Sequence, residues 1–274
     1  MYVHLRPRLS RALDMLRGSQ TVADIGSDHG RLAVALLQQG AAERVIACDI
    51  SAPSLEKARA LCSRCGLGGR MDFRVADGLG GLRPGEADAL VMAGMGGLVM
   101  GRILQEGATV AAAARRILLQ PQGNLPELRA FLYENGYCVQ DEAIVLDNGR
   151  YYQLILAAKG APAPLPPGWP PGYWELGPVA FAKGEPLLLP LAKKYRAGHQ
   201  KRLDKALKKG YTPQALVDAV ERSGARSTDL QSPEEVRDLA AKCEEAAENW
   251  APVADERWAD LAPNPLISRR HPAR

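Results

Sequence analysis

Short apolar runs alternate with helical patterns from Leu9 to Lys159, and this alternation restricts the possible folds more than any other feature of the chain. Leu9, Ala12, Leu13 and Leu16 recur at helical spacing, and Gly18 closes that first helix. The pattern predicts strands over 21–25, 44–49, 71–76, 88–93 and 116–120. Helices are predicted over 31–39, 53–65, 98–106 and 126–135, the last capped by Gly136. Two more strands, 139–146 and 151–157, flank Asp147-Asn148-Gly149, a strong hairpin signal. Strands separated by helices pair in parallel because the crossover needs the helix. Five βα units followed by a hairpin therefore predict a doubly wound α/β sheet with an antiparallel last strand, in a domain spanning 1–160.

The remainder has a different habit. Seven prolines fall within residues 161–178 and disfavour both helix and strand, so 161–180 reads as a Pro-rich linker. Leu188, Leu191, Tyr195, His199 and Leu203 then repeat at helical spacing, and a second helix is expected from Thr212-Pro213. A third starts at Ser232-Pro-Glu-Glu235, where serine caps, proline suits the first position and Glu235 completes a capping box. A small helical, coiled-coil-like domain over 181–250 is expected, followed by an irregular tail over 251–274.

The longest apolar stretches, such as Leu187-Leu-Leu-Pro-Leu-Ala192, fall far short of the roughly 20 residues that cross a bilayer. His4, Arg6 and Arg8 precede no apolar signal core, so a soluble, cytoplasmic protein is expected. Five scattered cysteines do not form a secreted disulfide framework. Cys62-Ser-Arg-Cys65 has no second ligand pair and reads as ordinary helix sequence, so no metal is expected.

The chemistry gathers at strand ends. Asp24-Ile-Gly-Ser-Asp-His-Gly30 joins a strand to a helix, with Gly26 allowing the turn and Gly30 a close approach. Asp49 ends the next strand, where a carboxylate can accept both hydroxyls of a ribose. Asp77-Gly78 follows the third strand, where a carboxylate can accept from an adenine amino group. The dinucleotide fingerprint G-x-G-x-x-G is absent, and Asp28 would set negative charge beside a pyrophosphate. A nicotinamide oxidoreductase is thereby disfavoured. A phosphate-free, positively charged cofactor such as S-adenosylmethionine fits better. Ala93-Gly-Met-Gly-Gly97 follows the fourth strand; its glycines would let a flat base approach the main chain, with Met95 as a soft packing surface. Leu119-Gln-Pro121 would lie across the same rim.

Asp24-Ile-Gly-Ser-Asp-His-Gly30, Ala93-Gly-Met-Gly-Gly97, Leu119-Gln-Pro121 and Arg150-Tyr-Tyr-Gln-Leu-Ile155 resemble the bacterial tRNA (adenine-22-N1) methyltransferase (TrmK) family over roughly 5–159. Gln122 stands where that family commonly has asparagine, and Gln153 where it commonly has glutamate. The resemblance implies a Rossmann-like class I methyltransferase fold, S-adenosylmethionine as donor and tRNA as acceptor. Asp24, Gly26, Ser27, Asp28, Gly30, Asp49, Ile50, Asp77, Gly78 and Ala93 would then surround the cofactor, with Gly94, Met95, Gly96 and Gly97 beside the target base. His29 is a candidate base or a brace for the turn. Adenine N1 carries a lone pair and no proton, so attack on a sulfonium methyl needs no obligatory base. Another RNA base, a small-molecule acceptor and a non-catalytic RNA-binding role remain alternatives. A basic run, Lys193, Lys194, Arg196, Lys201, Arg202, Lys205, Lys208 and Lys209, is either a solvated helix face or an RNA-binding surface.

Overall fold

Strands that are apolar on both faces must be covered on both, and the chain satisfies this with helices on each side of one sheet. The structure, a computed structural model, describes residues 1–162, 173–195 and 197. In chain order the elements are α1 (Pro7–Met15), β1 (Ser19–Ile25), α2 (Arg31–Gln38), β2 (Ala42–Asp49), α3 (Ala52–Arg64) and β3 (Met71–Val75). They continue with β4 (Ala89–Ala93), α4 (Gly97–Glu106), α5 (Ala108–Ala113), β5 (Arg116–Gln120), α6 (Leu125–Glu134), β6 (Tyr137–Asp147), β7 (Arg150–Lys159) and α7 (Pro178–Ala182).

The seven strands lie in the order β3-β2-β1-β4-β5-β7-β6. Strands β1 to β5 pair in parallel, while β7 runs antiparallel to both β5 and β6, the reversed last strand expected from the hairpin signal. Alternate residues point to opposite faces. Val22, Val45, Val91 and Leu118 pack in one core cluster with Leu13, Leu36, Leu37 and Leu55. Ile25, Ile46, Leu90, Ile117 and Leu119 pack in the other with Met100, Leu104, Leu128 and Leu132. Each strand thus feeds two layers of helices.

One expectation is corrected. There are four helix-bearing crossovers after strands, not five: β3 reaches β4 through residues 76–88 without a helix. Gly78, Gly80, Gly81, Pro84 and Gly85 supply the reason, since this density of glycine and proline opposes helix nucleation. The short α5 was not legible, because Ala108–Ala113 is too brief to carry a period.

By contact the chain divides into two compact units, Met1–Pro166 with Gly177–Ala180, and Pro167–Leu176 with Phe181–Arg274. Within the first, a charged group is buried rather than exposed. Arg129 on α6 donates from Nε to Glu142 Oε1 at 2.8 Å and from Nη2 to Gln153 Oε1 at 2.7 Å. Glu142 Oε2 accepts from the Val179 and Ala180 N–H groups at 2.9 and 3.0 Å, so Gly177–Ala180 is fastened to β6. Gly177 permits this approach: a Cβ there would meet the Glu142 carboxylate oxygens at 2.5 Å, at a φ of +81°. In the second unit, Tyr173–Glu175 forms a 3-10 turn and residues 188–195 are helical, including Leu188, Leu191 and Tyr195. His199, Leu203, the helices expected from 212 and 232, and the tail over 251–274 lie outside the described residues. Cys62 is buried on α3, and Cys65 ends that helix with its thiol 3.4 Å from the Met1 carbonyl. Among the described residues no helix is long and apolar enough to cross a membrane.

Candidate active site

The strand order reverses between β1 and β4, which opens a crevice outside the carboxyl ends of those strands. One wall is the turn after β1. Gly26, at φ +72°, redirects the chain, and the Gly26 and Ser27 N–H groups bond to the Cys48 carbonyl at 2.8 and 3.0 Å. Asp28 follows in a left-handed conformation, φ +49°, which a non-glycine residue adopts only when its surroundings hold it. The holding group is Asp49: its Oδ2 accepts from the Asp28 N–H, and its Oδ1 from the Ser51 N–H, both at 2.9 Å. The carboxylate is therefore fixed in orientation, yet each oxygen keeps a lone pair for another donor. Gly30 closes the turn against α3, where an added Cβ would come within 2.7 Å of the Ala58 Cβ.

Asp24 lies behind the turn and is 4% exposed. Burial raises its pKa from 3.8 to about 6; the Ser27 hydroxyl, donating at 2.9 Å, pulls it back down, and nearby Asp49 pushes it further up. Two carboxylates thus lie close together at the strand ends, and among the described residues no lysine or arginine lies within ion-pair distance of either. Such a site is short of a cation. Asp77 sits on the next strand end, exposed, 3.6 Å from Arg102 Nη1 of α4, and Gly78 packs under Ile103. Ile50 is 71% exposed beside Asp49, an apolar side chain presented to the same rim.

The opposite wall is the loop after β4. Ala93 pairs with Gln120 in the sheet, and three backbone bonds then stitch 94–97 to the loop after β5. Gly94 N–H bonds to the Gln120 carbonyl at 3.1 Å, Gln122 N–H to the Met95 carbonyl at 3.0 Å, and Gly97 N–H to the Gly123 carbonyl at 2.9 Å. A Cβ on Gly97 would collide with the Asn124 carbonyl, so glycine is required where α4 begins. The Met95 side chain crosses the crevice: its Cε lies 2.6 Å from where a Cβ of Gly26 would stand. The two loops singled out in the sequence are thus in contact across the switch point.

The structure brings together Asp24, Gly26, Ser27, Asp28, Gly30 and Asp49 on one wall, and Ala93, Gly94, Met95, Gly96 and Gly97 on the other. His29 is exposed at the mouth, its Nδ1 2.6 Å from Asp28 Oδ2 and its Nε2 3.4 Å from Lys57 Nζ. Both ring nitrogens are occupied, which suits a brace better than a base. Lys193 and Lys194 are exposed, whereas Arg196, Lys201, Arg202, Lys205, Lys208 and Lys209 lie outside the described residues. Sequence reasoning gave no role to Arg8 or Lys57, and met Tyr152 only inside the Arg150–Ile155 motif. Their relation to the site comes from tertiary contacts, such as Arg8 with Gln120, 112 positions apart.

A family model described as a methyltransferase domain matches residues 5–155. A Bacillus subtilis protein named tRNA (adenine(22)-N(1))-methyltransferase is 32% identical over 156 residues, 57% of this chain and 66% of that protein, just under two thirds of its length. Among solved structures, the B. subtilis M1A22 tRNA methyltransferase TrmK superposes with a TM-score of 0.71 at 24% identity, covering 89% of this chain and 99% of that one. M. capricolum TrmK, solved with S-adenosyl-homocysteine, gives 0.70 at 19%, covering 89% and 98%. At these identities the two structures bear on the fold.

Proposed function

Because the chain belongs to the methyltransferase-domain family, we propose that it transfers a methyl group from S-adenosylmethionine to N1 of an adenine in tRNA, adenine 22 by the likeness to the B. subtilis relative. The observation that carries the proposal is the contact of Met95 with the Gly26 turn, which sets a glycine-rich acceptor loop directly against a cation-poor acidic pocket. The residues present fit the donor. Asp49 would take the ribose hydroxyls, Asp77 the adenine amino group and Ile50 the adenine face, while Asp24 with Ser27 would face the ammonium and sulfonium end. Gly26, Asp28, Gly30, Gly78 and Ala93 would form the close backbone around it. When bound, the donor supplies an electrophilic methyl carbon.

The chain's own residues position and dry the reaction. Gly94, Gly96 and Gly97 leave room for the ring of the acceptor, and Met95 fills the remaining space with a soft, apolar side chain. In-line placement of N1 and exclusion of water would supply most of the rate. No group is needed to remove a proton, and His29, held between Asp28 and Lys57, steadies the turn. Lys193, Lys194, Arg196, Lys201, Arg202, Lys205, Lys208 and Lys209 are proposed as a phosphate-tracking surface of the second unit, and the reaction would take place in the cytoplasm where tRNA is found.

Labelled donor with defined tRNA transcripts tests the proposal, the product being mapped by mass spectrometry. The expected result is 1-methyladenine at position 22, lost when that adenine is replaced by guanine. Methylation at another atom or position, or none on tRNA, would overturn it.

Donor binding should depend on pH through Asp24. Burial favours the protonated acid, and a cationic donor favours the carboxylate. Below about pH 6 a proton must leave on binding, so donor affinity should fall about tenfold per pH unit and be independent of this group above it. Calorimetry on the Asp24→Asn variant should give a weaker but flatter profile. An equally steep profile in the variant would assign the titration to another group.

A further inference from the structure

The opening residues of the chain lie beside the acceptor wall, although nothing local in the sequence suggests it. Arg8, in the first turn of α1, donates from Nη1 to the Oε1 of Gln120 at 2.9 Å. Gln120 is fully buried at the end of β5; its Nε2 donates to the Pro121 carbonyl, and its own carbonyl holds Gly94. The guanidinium of Arg8 also lies 5.2 Å from the centroid of the Tyr152 ring. In the antiparallel register of β7 on β5, Leu119 faces Ile155, so Tyr152 stands beyond the end of β5, at the level of the acceptor loop. Arg8 is thereby fixed in place by a buried amide and an aromatic face, one residue removed from Gly94.

Among the described residues this fixed cation has no counter-charge. No carboxylate among them lies within ion-pair distance of Arg8, whereas Arg17, Arg59, Arg74, Arg83 and Arg102 each have one. Its surroundings share the deficit. Arg6 and Arg11 have no acid partner there either, and Arg31, at the start of α2, spends one N–H on the His4 carbonyl at 2.9 Å. Charge around the crevice is therefore divided. Asp24, Asp28, Asp49 and Asp77 lie on the side of β1 to β3, where Arg102 approaches Asp77 and Lys57 approaches His29, and Arg8 stands on the side of α1, β5 and β7. A cationic donor and a polyanionic acceptor would be drawn to different walls of one cleft.

We propose that Arg8, seated on Tyr152 and Gln120, binds a backbone phosphate of the RNA strand that carries the acceptor adenine. The proposal deepens the methyltransferase reading and rests on it. The planar guanidinium has five N–H donors, of which one is spent on Gln120, and the remainder suit a phosphate in a way a lysine ammonium would not reproduce. Because its anchor Gln120 also holds Gly94, phosphate capture and placement of the acceptor loop are joined through one residue. Arg8 is a positioning residue in this scheme and takes no part in bond making.

Arg8→Ala and Arg8→Lys in the full chain, with a tRNA transcript titrated at several salt concentrations, test this. Arg8→Ala should weaken tRNA binding about tenfold at low salt and reduce the slope of log K against log salt by about one, with donor affinity by calorimetry unchanged. Arg8→Lys should keep the slope and recover binding only in part. Wild-type affinity and slope in Arg8→Ala would overturn the proposal, as would a lower melting temperature with an unchanged slope, the mark of a purely structural arginine. Should Arg8→Ala fail to fold, Arg8→Lys and Tyr152→Leu decide: loss of affinity in both supports the proposal, and wild-type binding by both overturns it. A wild-type protein that binds donor but no tRNA would instead remove the reading of tRNA as substrate, and this proposal with it.

Discussion

Asp49→Ala is expected to weaken donor binding about a hundredfold while leaving tRNA affinity nearly unchanged. Two hydrogen bonds from ribose hydroxyls to a carboxylate are each worth about 1.5–3 kcal/mol, and their joint loss reaches that factor. The structure adds a second cost. Asp49 also accepts from the Asp28 and Ser51 N–H groups, so its removal releases a left-handed residue from the only side chain seen to hold its amide. Asp49→Asn separates the two effects, because an amide keeps one acceptor oxygen for the turn and loses the paired acceptance of a ribose. Calorimetric titration of the donor into both variants should rank them wild type, asparagine, alanine. Donor affinity unchanged in Asp49→Ala would mean that the ribose is held elsewhere.

Arg129→Met should destabilise the first unit by about 3–5 kcal/mol, the usual cost of removing one partner from a buried ion pair. Methionine fills much of the volume, so the loss is electrostatic rather than a cavity. Glu142 would remain buried with only the Val179 and Ala180 N–H groups to satisfy it, and Gln153 would lose a donor at 2.7 Å. Glu142→Gln should cost less, since a neutral acceptor can still receive the two peptide groups. Urea denaturation of the two variants measures the difference. A loss below about 1 kcal/mol in Arg129→Met would show that water replaces the guanidinium at little cost.

Much of this architecture was readable because its causes are local. Strands such as Arg116–Gln120 declare themselves through buried aliphatic runs, helices such as α3 through a serine cap and an early proline, and the hairpin through Asn148-Gly149. The acids of the crevice were also legible, since a strand end followed by glycine fixes where Asp24, Asp49 and Asp77 must emerge. What stayed hidden depends on groups far apart in the chain. An arginine on an amphipathic helix ordinarily faces solvent, so nothing marked Arg129 as buried until Glu142 and Gln153 were seen around it. Arg8 looked like part of a charged terminus because its partners lie in β5 and β7. The plain connection between β3 and β4 was legible too, since its glycines and Pro84 leave no helical pattern between the strands predicted at 71–76 and 88–93; only the count of five βα units overran it.

The seam between the two walls of the crevice is closed by an unbranched thioether. A ring or a branched side chain at position 95 would fix the gap rigidly, whereas methionine has three soft torsions and adapts to either neighbour. Compliance at that seam means the cleft can be resized by a change of rotamer, with every strand left where it is.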